Sequence, residues 1–146
     1  MKTENIWILG HKLTNHDSSG DFDLNVFESA PGVPGPPPHT HSKYQELFLV
    51  LEGSMEFMVN GDQKILKAGE SIDLLPGTIH TFRNAGNDVC KYVNIHSPKG
   101  FMKFFRDIGV NADTEGAASK SVSPEIINKV IETAGDYDMT LQLPKK

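Results

Sequence analysis

PPPHTHSKYQELFLVLEG (residues 36–53) sets two histidines one residue apart after three prolines, then a glutamate five residues on at the start of an apolar run. On an extended strand, residues two apart point to the same side, so His39 and His41 present both imidazoles to one space. Glu46 has the wrong parity to join them on one continuous strand. The chain must bend between Ser42 and Gln45 for the carboxylate to meet the rings. Beyond the bend, Glu46, Phe48 and Val50 share a face.

A second stretch, GESIDLLPGTIHTFRN (residues 69–84), supplies a third imidazole. Pro76-Gly77 forces a turn just before His80, and alternation then puts His80, Phe82 and Asn84 on one side. Three neutral imidazoles and one carboxylate converging inside a barrel make a three-nitrogen, one-oxygen site for a divalent first-row metal. Single histidines are ordinarily satisfied or exposed polar residues, which is the expectation for His11, His16 and His96. The Tyr92/Asn94/His96 face leaves His96 a minor supporting role behind the ligands.

Working outward, short apolar runs separated by turn residues continue from Ile6 to Ser97. Asn60-Gly61 is a strong hairpin signal, because both residues tolerate positive φ. Short strands at this spacing predict an all-β antiparallel sandwich or barrel over residues 1–100. After Pro98 the texture changes. Phe101, Phe104, Phe105 and Ile108 recur at helical spacing, with Gly109 placed to end the helix. Residues 111–121 read as a polar connector. Ser123-Pro124-Glu125 then reads as an N-cap with a first-turn proline, opening a helix whose apolar stripe is Ile126, Ile127, Val130, Ile131 and Ala134, closed by Gly135. Tyr137, Met139, Leu141 and Leu143 alternate along a tail laid on the body or on a neighbouring subunit. Residues 101–146 are thus expected as a helical extension and tail packed on the same domain.

The spacings resemble those of the cupin superfamily. Its first motif, ending in His-x-His, three or four residues, Glu, six residues, Gly, is matched by His39, His41, Glu46 and Gly53. Its second is matched by Gly69, Pro76, Gly77, His80 and Asn84, with fifteen residues between the two. Val33 stands where the first motif has glycine, and Leu75 where the second has its first proline. Neither position carries a ligand. The tail after Pro98 is similar to that of small cupins labelled quercetin dioxygenase-like. The resemblance implies a double-stranded β-helix, the jelly-roll barrel, with one divalent transition metal (Fe, Mn, Ni, Co, Cu or Zn) inside its mouth.

Composition narrows the partners. The net charge of −5 comes without a basic cluster, so the electrostatic footprint of a nucleic-acid binder is missing. The longest apolar run, Leu47–Leu51, is too short to span a bilayer, and the N-terminus does not read as a signal peptide. Cys90 is the single cysteine, which excludes an internal disulfide. A cytoplasmic location follows as the expectation. The tail and the open edges of a jelly roll point to a homodimer.

Phe48, Val50, Met55, Phe57 and Phe82 are expected to line an apolar substrate pocket beside the metal. The chain has two arginines, Arg83 and Arg106, and neither is placed to clamp a phosphate or dicarboxylate. The partner expected is a small neutral or aromatic compound that chelates through oxygen. A dioxygenase with Glu46 doubling as base is the first reading. A metal-dependent isomerase or lyase and a non-enzymatic ligand-binding cupin stand beside it, because fold alone does not choose among them.

Overall fold

Leu9 and Gly10 take positive φ, 48° and 87°, and fold the N-terminal segment back on itself as a hairpin, β1 (Thr3–Ile8) and β2 (His11–His16). The computed structural model describes residues 3–144. A leucine with positive φ carries no turn signal, and β2 buries His11 and Asn15 beside Leu13. For both reasons this strand is absent from the pattern of apolar runs. Then come β3 (Asp23–Ser29), β4 (His39–Thr40), β5 (Gln45–Glu52), β6 (Ser54–Val59) and β7 (Asp62–Lys67). The expected Asn60-Gly61 turn joins β6 to β7, both residues at positive φ. β8 (Ser71–Leu74), β9 (His80–Arg83) and β10 (Cys90–Ser97) complete the barrel strands.

Two antiparallel sheets face each other, and the core lies between them. One has seven strands in the order β11-β1-β2-β3-β10-β5-β8, where β11 is Val110–Asn111. The other has five, β12-β4-β9-β6-β7, where β12 is Thr140–Leu141. Alternation decides which side chains fill the space between. Along β5, Glu46, Phe48 and Val50 are buried while Leu47 and Leu49 lie half-buried on the outer face. Along β10, Cys90, Tyr92, Asn94 and His96 are buried in the same rhythm.

The segment after residue 100 adds a strand to each sheet as well as helices. α1 (Met102–Ile108) buries Met102, Phe104, Phe105 and Ile108, and Gly109 ends it. Between β11 and the next long helix, the expected connector holds one short helix, α2 (Ala117–Lys120). α3 (Pro124–Thr133) starts as its sequence predicts: the Ser123 hydroxyl accepts from the Ile126 N–H and Pro124 occupies the first turn. Its apolar stripe is only half covered. Val130 is buried and Ile126 packs at the core margin, whereas Ile127 and Ile131 are 42% and 44% exposed. Gly135 does not stop the chain; a 3-10 turn runs over Ala134–Tyr137, and Asp138 in the left-handed region ends it. Met139 is then buried, Leu141 half-buried and Leu143 exposed, while β12 pairs with β4 across the barrel mouth.

Candidate metal centre

Two cross-strand pairs, one from each sheet, build the site. His39 of β4 lies directly opposite His80 of β9, and Glu46 of β5 lies directly opposite His96 of β10. Side chains at directly paired positions lie on the same face, so each register brings its pair into the barrel interior. His41 stands in the bend between β4 and β5, the turn that the parity of Glu46 demands. The proline arm reaches this position by lying close over β9, where a Cβ on Gly35 would come within 1.6 Å of the Phe82 carbonyl oxygen. The Gly77 N–H donates to the His41 carbonyl at 2.7 Å, tying the Pro76-Gly77 turn to the His-x-His segment.

His39, His41, Glu46 and His80 each offer one ligand atom, and these atoms all lie within 4.8 Å of one another. All four residues are buried. Each imidazole donates its Nδ1–H to a backbone carbonyl at 3.0 Å: His39 to Pro37, His41 to Asp138 and His80 to Thr78. A carbonyl can only accept, so these bonds fix the proton on Nδ1 and leave a lone pair on each Nε2. Glu46 Oε2 lies 3.0 Å from His80 Nε2 and 3.6 Å from His41 Nε2. Neither Oε2 nor His80 Nε2 has a hydrogen-bond partner. Electron-rich atoms packed this closely, buried and without a shared proton, are what a cation bridges. The donor set fits a divalent first-row metal.

Electrostatics favour the same protonation states for His39, His41 and Glu46. Burial, helped by the neighbouring His80, pushes His39 down to about 3. Burial likewise lowers His41. Burial alone would raise Glu46, but His96, His80 and His41 around it outweigh that and hold its carboxyl well below the usual carboxylate range. His80 moves the other way: burial opposes its charged form, and the adjacent Glu46 carboxylate more than offsets it.

His39, His41 and Glu46 line a cavity of about 80 Å³. Phe48 and Phe82 lie on its wall, joined by Phe27, Tyr92, Phe101 and Phe105. Val50, Met55 and Phe57 do not reach it. All three are completely buried in the closed core of the barrel. Val50 is four residues past Glu46, about 13 Å further along the strand, so shared parity gives it the same face but a different depth. The C-terminal segment supplies part of the wall through Phe101, Met139 and Leu141, which periodicity alone could not place there. Among the described lining residues there is no lysine or arginine. Arg83 pairs with Glu56 and Arg106 with Glu4, both on the exterior.

Other candidates fall into place. His11 is satisfied by the Ser29 hydroxyl at 2.7 Å and the Pro34 carbonyl at 3.1 Å, and His16 is exposed. Asn84 donates to the Ser29 and Asp88 carbonyls and accepts from the Gly86 N–H, so it braces the loop after β9. Asn94 donates to Glu46 Oε1 at 2.9 Å, and His96 Nε2 stands 3.3 Å from that same oxygen. The inward rhythm of Tyr92, Asn94 and His96 was the only sequence signal for these two.

Comparison with known proteins agrees with this architecture. Residues 25–96 match the family described as Cupin domain. The transcriptional regulator PuuR of Escherichia coli is 33% identical over 92 residues, covering 62% of this chain and 49% of the regulator. The chain therefore spans about half the length of the curated relatives it matches. KdgF from Halomonas sp. superposes with a TM-score of 0.56 at 19% identity, covering 62% of this chain and 81% of that one. A putative sugar phosphate isomerase from Acidithiobacillus ferrooxidans gives 0.55 at 19% identity, covering 66% and 68%. No helix among the described residues is long and apolar enough to cross a membrane. With its two-sheet jelly roll and the superposed barrels the chain has the cupin fold, and residues 25–96 match the Cupin domain model.

Proposed function

We propose that the protein is a metal-dependent oxidoreductase, a dioxygenase acting on a small neutral compound that chelates through oxygen. The observation that carries this reading is the gathering of three imidazole nitrogens and one carboxylate oxygen beside a largely apolar cavity. His39, His41, Glu46 and His80 would hold the ion. A bound Fe, Mn, Ni, Co or Cu would supply positive charge that acidifies a coordinating hydroxyl, together with open positions for exogenous ligands. Glu46 is ionised and, on leaving the ion, would take the hydroxyl proton at Oε2. The rings of Phe48, Phe82 and Phe101 exclude water from the reacting group.

Size narrows the substrate. An apolar cavity of about 150 Å³ accepts benzene, and this one measures about 80 Å³. A small enol or diketone fits such a space better than a three-ring flavonol. The lack of a basic side chain among the described lining residues disfavours a phosphorylated sugar. The strand order leaves β7 and β8 at sheet edges, which supports a homodimer. Sedimentation at micromolar concentration showing monomer alone would remove that part.

The test is oxygen uptake by protein stripped of metal and reloaded with each ion in turn, screened against small diketones and enols. Uptake matched by product supports the reading. A second reading, a cupin that binds its ligand without turnover, is favoured by the match to a transcriptional regulator. It becomes the better one if a ligand binds by calorimetry while none of the metal-loaded forms consumes oxygen.

A further inference from the structure

His96 is completely buried, and neither of its ring nitrogens has a hydrogen-bond partner. Buried polar groups in folded proteins are nearly always paired, and leaving one unpaired lowers stability. Packing alone would be served better by a phenylalanine at this position. The ring is nonetheless held in a fixed plane, stacked on Phe101 at 4.3 Å between centroids and 19° between planes. Its Nε2 stands 3.3 Å from Glu46 Oε1, and the β5–β10 register puts the two residues directly opposite each other. Unlike His80, His96 has no carbonyl holding its proton on Nδ1, so the proton is free to sit on Nε2, where the carboxylate oxygen can only accept it. That contact lies within reach of a hydrogen bond but off its line, as contacts around metal-free and ligand-free sites commonly do before they tighten on binding.

The two oxygens of Glu46 thus have separate surroundings. Oε1 is held by the Asn94 amide at 2.9 Å and faced by His96, while Oε2 points to His80 and His41. We propose that His96 is a positioning residue: with Asn94 it holds Oε1 away from the imidazoles, so that Glu46 offers Oε2 alone to an ion held by His39, His41 and His80. The inference rests on the reading of those four residues as ligands. Its consequence is a count of coordination positions. A carboxylate freed at Oε1 can swing to bind through both oxygens and occupy a position that a substrate oxygen would otherwise take.

Copper(II) serves as the probe, with His96→Phe to remove both nitrogens and His96→Gln to keep an N–H donor. Three quantities are read: melting of the metal-free proteins, copper affinity by chelator competition, and the electron paramagnetic resonance spectrum of the copper-loaded forms. The expected result is a metal-free His96→Phe that melts at or above the wild type. Its copper affinity falls by about 10–100-fold, its spectrum shifts, and His96→Gln recovers much of both. Wild-type affinity and spectrum in His96→Phe would overturn the inference. So would a glutamine variant no better than the phenylalanine one, or metal-free variants that both melt well below the wild type, which would make the ring a packing element. Wild-type protein that binds no copper would overturn the ligand reading and this inference together, a result distinct from the others.

Discussion

His41 donates its Nδ1–H to the backbone carbonyl of Asp138, 97 residues away, at 3.0 Å. The C-terminal segment is therefore part of the candidate metal centre as well as part of its cover. Asp138 is placed by its own carboxylate, which accepts from the backbone N–H groups of Ser42 at 3.1 Å and Lys43 at 2.8 Å, and from the Ser42 hydroxyl. Its backbone sits at φ 56°, a conformation an aspartate tolerates better than most residues.

Asp138→Ala removes those acceptors, and the exposed donors of the bend turn to water. We expect a loss of about 1 kcal/mol in stability, together with weaker metal binding through the displaced His41 ring. Thermal melting and chelator competition measure the two effects. Unchanged metal affinity in a folded variant would show that the strap does not steer His41.

His80→Ala removes one of the three inward-facing nitrogens and the closest neighbour of Glu46 Oε2. Metal content by elemental analysis should fall far below one ion per chain. A full stoichiometric complement in the variant would sink the ligand assignment.

Met55→Ala separates core from cavity. Met55 is completely buried and lies off the cavity wall, so truncation should cost about 2–5 kcal/mol while metal affinity stays near the wild-type value. Phe82→Ala should do the reverse, altering ligand binding more than stability, because Phe82 lines the cavity and is only partly buried. Denaturant unfolding beside ligand titration distinguishes them, and a Met55 variant that binds metal poorly but unfolds normally would contradict the placement.

Cys90 is completely buried, and burial pushes its thiol up to about 11. The thiolate is the reactive form, so an aromatic disulfide reagent at neutral pH should label the native protein only on the timescale of unfolding. Labelling should become immediate in denaturant. Rapid labelling of the native protein would mean that the β3–β10 region opens readily.

The gathering of His39, His41, Glu46 and His80 was legible in the sequence because strand parity and turn chemistry are local. His39 and His41 share a face by alternation, the bend before Glu46 follows from its parity, and Pro76-Gly77 announces the turn ahead of His80. The Asn60-Gly61 hairpin and the Ser123 cap of α3 were legible for the same reason: their signals lie within a few residues. The β1–β2 hairpin was not, since Leu9 supplies its positive φ and β2 turns polar side chains inward.

What the sequence determined by itself is thus the alternating barrel and the residue types that meet in its mouth. Tertiary structure decided depth, register and cover. It placed Val50, Met55 and Phe57 in the closed core, because alternation assigns a face but not a distance along it. It set His96 opposite Glu46 through the pairing of strands about forty residues apart, a register no local signal encodes. It also brought Asp138, Met139 and Leu141 over the site, because where a tail docks depends on which apolar surface the folded barrel leaves open.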